Sequence, residues 1–306
     1  MAEPSVRTTT SKARKKGARI RKRKEWLVFT GYLTPSFAGV LLFFFLPLLM
    51  VLYSSMQKSA TNTTFVGMEN YARVLGNKAF QLAAQNTLLF SAMAVPLAVL
   101  LALVLALILN TKLPGRSFFR SALLNPMMVP VASVVLIWQV VFSFNGSLNS
   151  FLGGFGLDKI DWMKSDWSRL VILLLFLWKN LGYNMVLFLS ALNNVPAELH
   201  DSAKMDGAGS VRRFFSVSLV YLYPTIFFVS IMSLISSFKI FREVYLLTGA
   251  YPFDALYLLQ HFMNNAFQAL DYQKLSSSAI IMCVAMIIIV GVMFLLENRL
   301  GREVEE

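Results

Sequence analysis

Six long apolar runs decide what this chain can become. They extend roughly over residues 27–53, 82–109, 121–144, 170–192, 217–241 and 276–296. Each reaches the length of about twenty residues that a helix needs to cross the hydrocarbon core of a bilayer. Inside lipid every backbone N–H and C=O must find its partner within the protein, which a helix achieves locally. The expected fold class is therefore all-α: a polytopic membrane protein with six transmembrane helices. A length of 306 residues would also allow two soluble domains, but a chain that is 57% hydrophobic and only 14% charged points away from them. Prolines fall inside the runs at positions 35, 47, 96, 126, 130 and 224. They are tolerated in spans and produce kinks, which a moving transporter can use and which look the same in a static channel.

The charge is unevenly placed. Ten of the 28 Lys and Arg precede Trp26. With the N-terminus inside, the cytosolic segments hold eighteen of them and the external segments eight, while Lys179 and Lys239 lie within or at the edge of spans. That bias fixes an orientation with both termini cytosolic. Residues 1–25 read as a basic disordered tail that touches anionic lipid headgroups. The tail lacks interleaved aromatics, so a nucleic-acid partner is not expected. The helical domain is expected over 26–298, with a short cytosolic tail at 299–306. Asn70 is read as the cap of a short external helix, 144–166 as a turn-rich loop, and Trp162 and Trp167 as an interfacial aromatic belt.

Between the fourth and fifth runs lies PAELHDSAKMDGAGSVRRFFSVSLVYLYP, residues 196–224. Pro196 suits the first turn of a helix, and Asp206-Gly207 ends it. Leu199 and Ala203, four apart, give it one small apolar face. A short helix of this kind, followed by a break, fits a groove on another protein. The topology puts it in the cytosol.

These residues carry a family resemblance. The stretch resembles the coupling loop of permease subunits of binding-protein-dependent ABC importers, whose pattern is Glu-Ala-Ala, three residues, Gly, nine residues, then Ile-x-Leu-Pro. Asp201-Ser202-Ala203 stands for the first triplet, Gly207 falls at the right spacing, and Val217-Ser218-Leu219 fit the end, with Val220 in place of proline. Asp206-Gly207-Ala208 with Phe214 and Phe215 looks most like the sugar-importer branch, of which the maltose-type large permease subunit is an example. The resemblance implies the type I importer permease fold and an ATPase-coupling role for Glu198, Asp201, Ala203, Asp206 and Gly207. It also implies a solute path. Counted without gaps from Pro196 and from Thr248-Gly249, the family's substrate positions fall on Lys179, Asn180, Tyr183, Ser236, Ser237 and Ile240.

The residues themselves agree with such a path. Asn180, Tyr183, Asn184 and Leu187 share one helical face, and polar side chains within spans mark pathways or partners. Aromatic rings cover the apolar face of a pyranose while amides bond its hydroxyls. The bland alternative is that these groups bridge helices within the bundle. Lys179 stands apart, because a charge at mid-span needs a partner, water or substrate. No G-x-x-x-x-G-K-[ST] loop is present, so the chain is not expected to hydrolyse ATP. His200 and His261 lack the company a metal site needs, and no nucleophile–base set stands out. No catalytic residue, metal or cofactor is expected in this chain. The single cysteine, Cys283, can form no internal disulfide and is expected to be buried.

The expected function is thus a permease subunit of a bacterial ATP-driven carbohydrate importer in the cytoplasmic membrane. Its partners would be a second, similar permease subunit, two ATPase subunits that bind ATP and Mg, and an extracytoplasmic solute-binding protein. A permease for glycerol phosphate or a polyamine, and a stand-alone channel, remain as alternatives.

Overall fold

The computed structural model describes residues 26, 29–59, 61–111 and 113–305. The basic segment 1–25 and Lys112 lie outside them. Among the described residues the regular structure is helical apart from one isolated bridge between Gln57 and Phe65. Six stretches are long and apolar enough to cross a membrane: Phe29–Ser55, Lys78–Asn110, Val131–Gly153, Ser168–Asn193, Ser210–Thr248 and Tyr272–Arg299.

The first span, α1 (Phe29–Ser55), widens into a π-turn at Leu41–Phe45. Pro47 follows after Leu46; a proline ring presses on the carbonyl four residues back, and a wider turn relieves it. α1 is outward-facing over most of its length and is tied down at its end. Asn70 on α2 (Glu69–Leu75) donates from Nδ2 to the carbonyls of Ser55 (2.9 Å) and Gln57 (2.7 Å), and the Ser55 and Tyr71 hydroxyls lie 2.5 Å apart. Asn70 is therefore not the expected cap. It lies inside the helix, 3% exposed, and satisfies the carbonyls that α1 leaves open.

α3 (Lys78–Asn110) and α7 (Ser168–Asn193) form the centre of the molecule. Ala94, Ala98, Ala102 and Ala106 recur every fourth residue on α3 and have no exposed surface. Without a hydrophobic effect between spans in lipid, small residues let helices approach and gain dispersion energy. Phe176, Met185 and Phe188 of α7 are fully buried in the resulting seam.

The third apolar run is not one helix. α4 (Arg116–Met128) and α5 (Val131–Phe142) are separated at Val129-Pro130. Pro130 removes an N–H and pushes the residue before it out of helical angles, and Val129 is extended at φ −74°, ψ 131°. The break lets α4 pack on α7 at backbone distance. A Cβ on Gly182 would lie 1.9 Å from the Leu123 carbonyl oxygen, so only glycine fits there.

The loop expected over 144–166 contains a further helix, α6 (Ser147–Gly153). The buried Asn149 organises it, bonding the Phe144 and Ile160 carbonyls and the Trp162 indole N–H. Trp162 thus spends its N–H inside the protein, while Trp167 is half-exposed. After the loop come α8 (Ala197–Met205), α9 (Ser210–Arg213), a π-turn (Phe214–Ser218), α10 (Leu219–Phe238), α11 (Phe241–Thr248), α12 (Leu259–Gln268) and α13 (Tyr272–Glu305). α13 runs through the expected boundary at 298 without a break, and Cys283 on it is half-buried rather than buried.

Candidate functional site: a polar face of the fourth span and a capped loop helix

Lys179, Asn180, Tyr183 and Asn184 succeed one another along α7. Lys179 is ion-paired with Glu243 of α11, both largely withdrawn from the surface, at 17% and 5% side-chain exposure. The charge at mid-span thus has its partner within the chain, 64 residues away. Glu243 was not among the residues expected from sequence; the signal was an acid in FREVYLLT, an apolar amphipathic segment just past the fifth run. Asn180 donates from Nδ2 to the Phe176 carbonyl at 2.8 Å, which leaves its amide oxygen available as an acceptor. Tyr183 is 37% exposed.

Other members of the expected set face inwards. The Ser237 hydroxyl lies 2.8 Å from that of Ser91 on α3 and donates to the Leu234 carbonyl. Ile240 is buried in a core cluster with Ile172, Phe176 and Val244. Asn184 donates to Ser233 at 2.9 Å and is also buried. Ser236 is half-buried, and its carbonyl accepts from the N–H of Lys239, where α10 ends. The structure thus brings Lys179, Asn180, Tyr183 and Ser236 to accessible or partly accessible positions. It places Ser237 and Ile240 in the helix packing behind them.

A run of aromatic rings leads from this face towards the start of α7, and sequence reading did not anticipate it. Trp178 packs against Trp138 of α5 at 5.2 Å between centroids, Trp138 against Phe142 at 5.9 Å, Phe142 against Trp162 at 6.0 Å and Trp162 against Trp167 at 6.1 Å.

At the opposite end of α7, Pro196 caps α8 and Gly207 ends it. Gly207 is left-handed at φ 76°; its N–H reaches the Lys204 carbonyl (3.0 Å) and that of Ala208 reaches Ala203 (2.9 Å). This pair of bonds is a Schellman closure, and it needs a residue that accepts positive φ. His200, Ala203 and Ala208 are half-buried, Leu199, expected on the same apolar face as Ala203, is exposed, and no residue of α8 is buried. Glu198, Asp201 and Asp206 are exposed. Lys204 donates to Asp201 at 2.8 Å and holds that carboxyl below the usual carboxylate range. The helix is thus a short, capped rod that this chain leaves largely uncovered. Among the described residues, no group of three or more His, Cys, Asp or Glu could hold a metal ion.

The family described as "Binding-protein-dependent transport system inner membrane component" matches residues 94–306. The chain belongs to this family: it is the multi-pass inner-membrane permease component of an ABC importer. It is 32% identical over 216 residues to the arabinooligosaccharides transport system permease protein AraP of Halalkalibacterium halodurans, covering 69% of this chain and 68% of that protein. It is 29% identical over 280 residues to the trehalose/maltose transport system permease protein MalF of Thermococcus litoralis, covering 89% and 95%. It is 28% identical over 280 residues to the sn-glycerol-3-phosphate permease UgpA of Salmonella typhimurium, covering 89% and 94%. Its fold is that of a chain in a bacterial ABC transporter that imports the acidic polysaccharide alginate, with a TM-score of 0.79 at 20% identity over 94% of this chain and 100% of the other.

Proposed function

We propose that this permease conducts a neutral oligosaccharide, and that the face formed by Lys179, Asn180, Tyr183 and Ser236 lines the path. The observation that carries this reading is the Lys179–Glu243 ion pair beside an amide and a phenol at mid-span. It leaves the face polar and aromatic with its cation already neutralised. A phosphate or uronate would find no uncompensated charge on Lys179, whereas sugar hydroxyls find donors and acceptors and the Tyr183 ring a pyranose face. The names of two relatives, for arabino-oligosaccharides and for trehalose and maltose, support the same substrate class. The likeness to UgpA keeps glycerol phosphate as the competing solute.

α8 is the coupling lever in this reading. Glu198, Asp201, Ala203, Asp206 and Gly207 present it to an ATPase subunit. Two such subunits bind ATP and Mg, a second permease subunit completes the path, and an extracytoplasmic binding protein delivers the sugar. Both termini and α8 then lie in the cytosol, a reading that the Lys and Arg distribution supports.

The test is uptake by vesicles carrying the assembled transporter. Asn180→Ala and Tyr183→Ala should each reduce oligosaccharide uptake by up to about tenfold, the value of one lost hydrogen bond, without loss of assembly. Uptake of glycerol phosphate in preference to any oligosaccharide would select the competing solute. Asp201→Lys should lower the amount of ATPase that co-purifies. Normal ATPase retention and normal uptake in that variant would remove α8 from the coupling role.

A further inference from the structure

A cavity of about 470 Å³ lies between α3, α7 and the 254–258 segment, at the end of the bundle away from α8. Leu89, Phe90, Met93, Leu173 and Leu256 make most of its wall apolar. Leu89 and Met93 are 40% and 50% exposed, so the cavity borders the outward surface of the bundle. Its other end, where α7 begins, carries Asp166, Trp167 and Arg169. Three features there are independent of one another. Arg169 is fixed by a hydrogen bond from Nη2 to the Asn86 amide oxygen (3.2 Å), and Asn86 is itself held by the Asp254 and Tyr257 carbonyls. Neither Arg169 nor Asp166 joins a salt bridge among the described residues. Trp167 is half-exposed beside them, at the end of a span, where an amphipathic ring marks the boundary between chains and headgroups.

We infer that this cavity is a binding site for one phospholipid whose headgroup bears both a phosphate and a primary ammonium, as in phosphatidylethanolamine. The apolar wall takes an acyl chain. The guanidinium of Arg169, with N–H groups left over after its bond to Asn86, takes the phosphate in forked geometry. The Asp166 carboxylate takes the ammonium. An open apolar wall alone would also suit a neighbouring protein subunit. The cation and anion at one end, outside any salt bridge among the described residues and where a span begins, favour the zwitterionic lipid. None of Lys179, Asn180, Tyr183 and Ser236 lines the cavity, and the inference does not depend on which solute is carried.

The experiment uses the assembled transporter, reconstituted in bilayers of equal phosphatidylethanolamine and phosphatidylglycerol, extracted, and analysed for retained lipid by native mass spectrometry. The wild type should retain phosphatidylethanolamine in excess. Arg169→Gln should lower its retention about tenfold or more, the value of a charge-assisted hydrogen bond. Asp166→Asn should bring it to the level of phosphatidylglycerol. Met93→Trp, which fills the apolar wall from a half-exposed position, should remove both lipids while the complex still assembles. Equal retention of the two lipids by the wild type would overturn the inference, as would retention unchanged by Met93→Trp. So would a photo-crosslinker at position 89 that labels another subunit and no lipid.

Discussion

The ammonium of Lys179 on the fourth span meets the carboxylate of Glu243 on the short helix after the fifth. The pair fastens α11 to α7 at the depth of the polar face. Such a bond is costly to break from one side only. Glu243→Gln leaves a largely buried cation uncompensated and should destabilise the protein by about 3–5 kcal/mol. Replacing both residues by methionine should restore most of that loss, because the desolvation of two charges is removed together. Thermal melting of the purified complex in detergent checks this. A Glu243→Gln variant that melts with the wild type would show that the pair does not hold these helices.

Gly182 is the position where α4 touches α7 through backbone alone. Gly182→Ala places a methyl group against the Leu123 carbonyl and forces the helices apart, at a cost of about 3 kcal/mol or more. Gly291→Ala on α13, where a Cβ meets nothing within 4 Å, is the control and should leave the melting temperature unchanged or slightly raised. Equal behaviour of the two variants would contradict the close approach.

The closure of α8 at Gly207 gives a graded test. A residue with a side chain pays about 1–2 kcal/mol for the left-handed region, a β-branched one more, and asparagine least. Gly207→Val should therefore uncouple ATP hydrolysis from uptake more severely than Gly207→Asn, with insertion unaffected. Measuring the ratio of transport to hydrolysis in both variants decides it; an equal ratio would mean that the turn does not direct the lever.

His261 on α12 has no exposed surface and is ringed by Phe241, Tyr245 and Tyr257. Its Nδ1 accepts from the Leu258 N–H, which completes the first turn of the helix. Burial pushes its pKa down from 6.5 to about 4. The unfolded chain therefore takes up the proton first as pH falls. The contribution is complete above about pH 6.5 and is lost between there and about pH 4, some 3 kcal/mol in all. The melting temperature should fall through that window, and His261→Phe should flatten this part of the profile. A wild-type profile flat from pH 7 to pH 5 would refute the assignment.

Six spans were legible because length and apolarity are properties of a segment by itself. The helix Ala197–Met205 was legible for the same reason: Pro196, Asp206-Gly207 and the spacing between them act within one turn of the chain. What sequence reading missed depends on distant partners. Asn70 has the composition of a cap, yet the carbonyls of Ser55 and Gln57 claim it from an element more than a dozen residues earlier. Lys179 was marked as needing a partner, but nothing local names Glu243 as that partner. Pro126 and Pro130 were both visible, but residue type alone did not say that the helix would continue through the first and end before the second. Among the residues expected to line a solute path, the residue types alone did not separate those that are exposed, such as Tyr183, from those that bond across the seam, such as Ser237.

The π-turn at Phe214–Ser218 joins the lever to the fifth span. Successive residues of an α-helix are set about 100° apart around the axis, and a π-turn admits one extra residue into a turn. The two faces on either side of it are thereby put out of phase. Were this turn to tighten to ordinary winding, the segment bearing Arg212 and Arg213 would swing through roughly that angle relative to Leu222 and Val229, with little movement along the axis. In the coupling role proposed for α8, such a joint would act as a swivel, passing torque into the membrane with no need for the span to slide.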